Sequence, residues 1–417
     1  MSEIRRLSAE EIEAFAAIAV NAYPGWEVAP AGGDRAHAIK EQLLKILAED
    51  PTKSMYGLFR DGRLLGGMLF HDFTMNCLGT WVLSGGVGLV AVDLPHKKEH
   101  VAKEMIAYFT RHYRERGSPI TQLYPFRPDF YKQMGYGYGT KMSQYRLRPA
   151  ALPQGPAKSH VRYLGEADQP ALAACYNRFA AQTHGMFERS ARDFTQRLRN
   201  PQVRFVGYER DGQIRGYIVF MFKEGESFII NDIHVREFVY EDPEALSELM
   251  TFLHTQADQI RHVIINTQDE SFHHLLLDPR NGSPVLIPSV YHESNLQGVG
   301  LLYRLVNVPA MFQVLKERDF GGQTGRLTLT IADSFLPENA GSTLLHFDQG
   351  RLSLPADGPS DVEIRMDIAE FSSLLMGAVN FRSLHRYGLA HISDPAYVGV
   401  VDKVFAVADK PVCMTHF

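Results

Sequence analysis

Lys97 and Lys98 stand in a turn between an apolar strand, residues 87–92, and a helix that begins near Val101. Val101, Met105, Ile106, Phe109 and Tyr113 recur at helical spacing and define one buried face. A helix N-terminus offers unpaired backbone N–H groups and the positive end of its dipole. Two lysines beside it suit a phosphorylated ligand. By themselves, adjacent lysines more often mark a solvated helix start. What separates the two readings here is a second element downstream, Tyr131-Lys132-Gln133-Met134-Gly135-Tyr136, in which a phenol is set in a glycine-bearing loop.

The run Val90-Ala91-Val92-Asp93-Leu94-Pro95-His96-Lys97-Lys98-Glu99-His100-Val101-Ala102 resembles the acetyl-CoA pyrophosphate loop of the GNAT N-acetyltransferases. The Tyr131–Tyr136 loop resembles their closing Tyr-x-x-x-Gly-Phe/Tyr element. The ending Lys410-Pro411-Val412-Cys413-Met414-Thr415-His416-Phe417 is similar to that of the Eis group, the enhanced intracellular survival proteins. Those proteins join two GNAT-like modules to a sterol-carrier-like C-terminal domain, and the resemblance covers essentially the whole chain.

The resemblance implies acetyl-CoA as co-substrate, no metal, and transfer of the acetyl group to a primary amine of an aminoglycoside-like polycation or a lysine. Backbone groups of Val90, Ala91 and Val92 would meet the pantetheine. Lys97, Lys98, Glu99, His100, Val101, Ala102 and Lys103 would frame the pyrophosphate, and Phe126 and Arg127 fall at further acetyl-CoA-contacting positions. Where the usual loop has glycine, this chain has His100, with Glu99 beside it. Glycine admits a close backbone approach to phosphate; His100 does so only with its side chain turned away.

The resemblance implies Tyr131 as general acid toward the CoA thiolate, and a phenol of pKa about 10 can donate to a thiolate of similar basicity. It likewise implies the carboxylate of Phe417 as general base. A terminal carboxyl of pKa roughly 3.5 is too weak for that unless desolvation raises it. His416 is an alternative base. An acidic wall for a cationic acceptor would draw on Asp72 and Glu27, and Trp26, Phe70 and Trp81 line either the acceptor pocket or the core, with Phe70 assigned to the core.

The elements that must position these groups are duplicated. Arg60-Asp61-Gly62-Arg63-Leu64-Leu65-Gly66-Gly67-Met68-Leu69-Phe70 returns as Arg210-Asp211-Gly212-Gln213-Ile214-Arg215-Gly216-Tyr217-Ile218-Val219-Phe220, at a constant offset of 150 positions. Each copy reads as a strand, an Asp-Gly turn and a strand, preceded by helical segments and followed by a strand and helix. The second copy diverges where the chemistry would sit: its turn, residues 236–244, is acidic, and no Tyr-x-x-x-Gly-Tyr follows. It keeps the fold and loses the cofactor.

The map is therefore a catalytic GNAT domain over residues 1–150, a degenerate GNAT-like domain over 151–292 and a sterol-carrier-like α+β domain over 293–417. The fold class is α/β and α+β, with mixed sheets flanked by helices. Residues 149–156, with three prolines and a glycine, read as the clearest linker. In the last domain, residues 325–331, 342–347 and 351–354 read as strands, 368–376 as a helix and 403–407 as extended.

Among 417 residues the net charge is −5 and no Lys/Arg run exceeds two, which argues against nucleic acid. Three separated cysteines form neither a disulfide framework nor a metal knuckle and point to a cytoplasmic setting. No signal core or membrane-length apolar segment is evident. His96 with His100, and His273 with His274, lack metal-site context, and the glycine-rich residues 84–88 precede their strand, which favours a bulge or turn over a nucleotide fingerprint. A homo-oligomer, hexameric by the resemblance, is expected. The rival from another class is a non-catalytic binder of CoA or an apolar ligand, which His100 and Glu99 favour and Tyr131 with Phe417 oppose.

Overall fold

The computed structural model describes residues 2–26, 33–227 and 229–417. They divide into two compact units. The first takes residues through Gly139, then Leu301–Lys410 and His416–Phe417; the second takes Thr140–Gly300 and Pro411–Thr415.

The first unit opens with β1 (Ser2–Arg6), α1 (Glu11–Ala22) and α2 (Arg35–Glu49). β2 (Lys53–Arg60) and β3 (Arg63–Cys77) follow as a hairpin, then β4 (Thr80–Val92), α3 (Val101–Glu115), β5 (Ile120–Leu123), α4 (Pro128–Lys132) and β6 (Gly137–Tyr138). Asp61 and Gly62 close the hairpin at φ 51° and 78°, left-handed values that match a two-residue turn to strand twist. α3 buries Val101, Met105, Ile106, Phe109 and Tyr113, the face expected from their spacing.

The second unit repeats this plan. It holds β7 (Met142–Leu147), β8 (Val161–Tyr163), α5 (Gln169–Gln182), α6 (Arg192–Arg199), β9 (Val203–Arg210) and β10 (Gln213–Ser227). β11 (Ile230–Tyr240), α7 (Pro243–His254), β12 (Ile260–Thr267), β13 (Leu286–Ile287), β14 (Tyr291–His292) and β15 (Asn295–Gly298) complete it. The bounds of β9 and β10 are those of β2 and β3 shifted by 150 at all four ends. Asp211 and Gly212 repeat the left-handed turn at φ 54° and 73°.

The chain then returns through β16 (Leu302–Leu305) to α8 (Val308–Val314), β17 (Gly325–Ala332), β18 (Gly341–Asp348), β19 (Arg351–Ser353), β20 (Val362–Asp367), α9 (Ile368–Leu375), α10 (Phe381–Arg386), β21 (Ala390–Ile392) and α11 (Val398–Val404). Three sheets result, ordered β1-β2-β3-β4-β5-β16-β6, β15-β7-β12-β11-β10-β9-β8 and β19-β18-β17-β20-β21, beside the small β13-β14 ribbon.

Three sequence expectations change. Residues 142–147 were placed in the first domain, but β7 pairs with β12 and β15 in the second sheet, while β16 enters the first sheet between β5 and β6. The proline-rich stretch is no free linker: Pro149–Ala151 make one 3-10 turn and Leu152 is fully buried in the second core. Prolines fix φ and end a strand; they do not by themselves expose it. Residues 403–407 are not a strand, since Val401 and Val404 form the buried face of α11.

Candidate functional site

β4 has a strand partner on one side along its whole length but on the other only at Ser84, Gly85 and Gly86, which pair in parallel with β5. Beyond Gly86 the two strands part. A register shift near Leu89, whose φ is 49°, marks a bulge just past the glycine run. The opened half carries Val90, Ala91 and Val92. Ala91 is buried and pairs with Gly67, and Val92 pairs with Gly66. The Val90 carbonyl accepts a hydrogen bond from the Tyr23 hydroxyl at 2.8 Å, a partner that local spacing gave no hint of.

From β4 the chain passes Lys97 and Lys98, both exposed, to the N-terminus of α3. No side chain caps that end. The first-turn amides of Val101, Ala102 and Lys103 therefore lack the intrahelical partners that later residues have. Lys98 and His100 adopt φ 68° and 64°, so the histidine in the expected glycine position takes a glycine-like conformation. Glu99 is not left bare: its carboxylate accepts from Arg60 Nη1 at 3.2 Å and lies 3.2 Å from His96 Nδ1. A negative charge next to the amides is thus partly neutralised.

α4 presents Tyr131, which is nearly fully buried with edge-on contacts to Phe126, Phe130 and Tyr136 at 5.8, 5.3 and 6.0 Å. Its hydroxyl has no hydrogen-bond partner among the described residues. Burial, with Tyr23 and Tyr136 nearby, pushes this phenol well above its ordinary range, so it keeps its proton at every working pH. Phe126 is exposed, and Arg127 is paired in two hydrogen bonds with Asp129. The loop behind is fixed from within the same unit. Gly135 has φ 82°, a Cβ on Gly137 would sit 2.1 Å from Ala369 O, and Lys132 pairs with Glu370 at 2.5 Å.

The end of the chain lies on β4. A Cβ on Gly88 would be 3.0 Å from the carboxyl carbon of Phe417, and one on Gly86 would be 3.0 Å from its ring. That ring packs against His71, Phe73 and Tyr124 at 5.4, 4.9 and 5.2 Å. His416 is exposed beside Tyr124 at 5.7 Å. His71 is almost wholly buried, its Nε2 has no hydrogen-bond partner, and burial lowers its pKa to about 3. Sequence reasoning missed His71, Tyr124 and the part played by Gly86 and Gly88. The available signal was three glycines within one apolar strand, which make room for something bulky.

Other candidates fall elsewhere. Asp72 is a structural carboxylate: it holds Arg116 at 2.6 and 2.7 Å and accepts from Tyr113 at 2.6 Å, partners that keep it below the usual range although burial opposes them. Glu27 lies outside the described residues. Phe70 is core, stacked on Tyr56 at 4.4 Å, and Trp81 is exposed. A cavity of ≈ 440 Å³ beside α4 is bordered by Asp129, Lys132, Asp333, Asp367 and Glu370, with Phe335. Among the described residues there is no cluster of metal-ligating side chains and no helix long and apolar enough to cross a membrane.

A splayed parallel strand pair leads to an uncapped helix N-terminus beside Lys97 and Lys98, and Tyr131 shares a buried core with Val101 and Met105 of that helix. Residues 3–139 and 185–296 each match an acetyltransferase (GNAT) domain family, and residues 311–414 match the sterol carrier protein domain. N-acetyltransferase Eis of Mycobacterium tuberculosis is 23% identical over 371 residues, covering 85% of this chain and 87% of that protein. Among solved structures, a GCN5-related N-acetyltransferase from Anabaena variabilis gives a TM-score of 0.82 at 18% identity over 100% of both chains. Eis1 from Mycobacterium abscessus gives 0.76 at 21% identity, again over 100% of both. The chain is an N-acetyltransferase of two tandem GNAT domains followed by a sterol-carrier-like domain, and over most of its length it is similar to the Eis proteins.

Proposed function

We propose that this enzyme moves the acetyl group of acetyl-CoA to a primary amine, on an aminoglycoside-like polycation or a lysine, at the opening between β4 and β5. The supporting observation is the position of Phe417, whose carboxyl carbon lies against Gly88 on the strand that leads to the cationic turn. In this reading Val90, Ala91 and Val92 meet the pantetheine, with Tyr23 releasing the Val90 carbonyl or sharing it. Lys97, Lys98 and the amides from Glu99 and His100 through Val101, Ala102 and Lys103 take the pyrophosphate. Phe126 and Arg127 flank the cofactor.

The Phe417 carboxylate accepts the ammonium proton and later yields it to solvent; after attack, Tyr131 donates a proton to the departing thiolate and is restored by the second proton leaving the nitrogen, so one proton is released per turnover. The Phe417 ring is packed against His71, Phe73 and Tyr124, which holds the chain end on β4. In this reading the first GNAT domain, residues 3–139, is catalytic, the second, within 140–300, is a degenerate copy, and the chain from 301 onward supplies the tail. The exposed ribbon with Leu286, Ile287, Val290 and Tyr291 supports assembly into a homo-oligomer.

The test follows free CoA thiol with acetyl-CoA and a panel of amines. The intact chain should turn over, while Tyr131→Ala and a chain extended beyond Phe417 should lose most activity. Equal rates in all three would remove both assignments.

A further inference from the structure

The second GNAT domain has lost the features that would hold a cofactor, yet it contains a built site of another kind. Glu237 on β11 is fully buried and accepts hydrogen bonds from Arg189 Nη1 at 2.8 Å, Arg197 Nη1 at 2.9 Å and the Tyr217 hydroxyl. The backbone of Arg189 is fixed as well: its N–H donates to Asn177 Oδ1 at 2.9 Å, and its carbonyl accepts from Asn177 Nδ2 at 2.7 Å. Its guanidinium lies 4.0 Å over the Tyr176 ring. So firm a frame leaves the remaining donors pointing in one direction. Nη2 donates to the Met414 carbonyl at 2.9 Å and to Thr415 Oγ1 at 3.0 Å, and Nε donates to Thr415 Oγ1 at 3.2 Å.

The rest of the segment is held in the same unit. Val412 N–H donates to the His184 carbonyl at 2.8 Å and Cys413 N–H to Gln268 Oε1 at 2.7 Å. Val412 and Met414, two apart, pack against the core that contains Tyr176 and Phe194. Gly185 has φ 92°, and a Cβ there would sit 2.8 Å from Val412 O, so no larger residue allows the approach. Cys413, between Val412 and Met414, is buried, so the segment is held by backbone bonds at successive residues and by packing of its side chains, the means by which a peptide is recognised.

We infer that the degenerate domain is retained as a peptide-binding site for the chain's own Pro411–Thr415 segment, with Arg189 as its clamp. In this inference the domain holds the Val-Cys-Met-Thr segment in place of a cofactor. Arg189, Glu237 and Thr415 are positioning residues: they fix the backbone two residues before Phe417. Their effect on catalysis rests on the proposed role of Phe417, whereas their effect on the tail does not.

Hydrogen exchange measured by mass spectrometry on the full chain reads the tail directly. Arg189→Lys and Thr415→Val should each speed exchange of residues 411–417 by roughly tenfold or more, because hydrogen bonds to a charged group are lost. Peptides from β2 to β4 should exchange as before. Thr415→Val leaves the buried ion pair intact and decides the matter if Arg189→Lys disturbs the fold. Unchanged tail exchange in Thr415→Val overturns the clamp. A chain extended past Phe417 separates the two readings. If extension abolishes activity while Thr415→Val exchanges normally, the clamp falls and the base stands. If extension is harmless while Thr415→Val loosens the tail, the base falls and the clamp stands. With both intact, Thr415→Val should lower kcat several-fold and leave KM for acetyl-CoA unchanged.

Discussion

The two GNAT domains start from one backbone plan and finish it in opposite ways. Counted back from the equivalent pairs Gly66–Val92 and Gly216–Tyr240, Glu237 stands where β4 has Leu89, and Tyr217 stands where β3 has Gly67. The first domain leaves this region to an apolar bulge. The second fills it with a buried carboxylate, two arginines and a phenol. The helix that follows differs in the same sense. α3 starts uncapped after Lys97 and Lys98, while α7 starts at Asp242, whose side chain accepts from Ala245 N–H at 2.8 Å. An N-terminus capped by its own carboxylate has one fewer amide, and a negative charge, to meet a phosphate. On the proposed reading, a cofactor site is lost without a change of fold when exposed donors are answered from within.

The largest expected effect tests the tyrosine loop, which the second domain lacks; there Phe272–Leu275 form a short 3-10 turn instead. Tyr131→Phe should lower kcat by about 10²- to 10⁴-fold, the usual contribution of a general acid. KM for acetyl-CoA should hardly move. A variant with wild-type kcat would erase the functional difference between the two loops.

Next in size is the acid response of the second domain. Burial alone would raise the Glu237 pKa, but Arg189 and Arg197 outweigh it and bring it to about 2, against 4.5 for the free side chain. A depressed carboxylate contributes stability that is present above the unfolded value and lost as pH falls through the folded one. The second unit should therefore weaken between about pH 4.5 and 2, by on the order of 3 kcal/mol. Glu237→Gln should be less stable at neutral pH and show a flatter decline in that window by chemical denaturation. An unchanged slope would mean that the ion cluster does not set the acid limit.

How much of this was legible depends on how local each feature is. The hairpin duplication could be read to the residue because Asp-Gly turns fix the strands on either side. The face of α3 followed from spacing alone, and β17, β18 and α9 fell close to their expected runs. What escaped were pairings of distant segments. Nothing near residues 142–147 says that they join the second sheet, and nothing near Asp72 announces Arg116 and Tyr113. The glycines at 85, 86 and 88 were legible as unusual but not as space, because Tyr113, Phe73 and Phe417 come from far along the chain. Likewise Arg189 and Glu237 look like ordinary surface charges until the fold buries them together.

A matched pair of substitutions sharpens the contrast at the helix starts. Reversing charge at Lys97 and Lys98 to Glu should raise KM for acetyl-CoA roughly tenfold or more and leave thermal stability nearly unchanged, since both side chains are exposed. Asp242→Ala should do the reverse. It should cost about 1 kcal/mol through loss of the cap, read as a lower melting temperature, with no change in KM. If Asp242→Ala altered KM, the second domain would still bind cofactor.

The smallest effect concerns His100. Its φ of 64° is left-handed, a region that costs a side-chain-bearing residue roughly 1 kcal/mol more than glycine. Replacement by glycine relieves that strain, but it also frees the unfolded chain by about 0.4–1 kcal/mol, so the two terms nearly cancel in stability. The gain should show instead in binding: without a Cβ the turn lets phosphate approach the α3 amides more closely. His100→Gly is therefore expected to lower KM for acetyl-CoA two- to threefold, by about 0.5 kcal/mol, with a melting temperature close to wild type. A higher KM would mean that the imidazole itself contacts the cofactor. The histidine would then be a working part of the first domain's anion seat and not a tolerated departure from glycine.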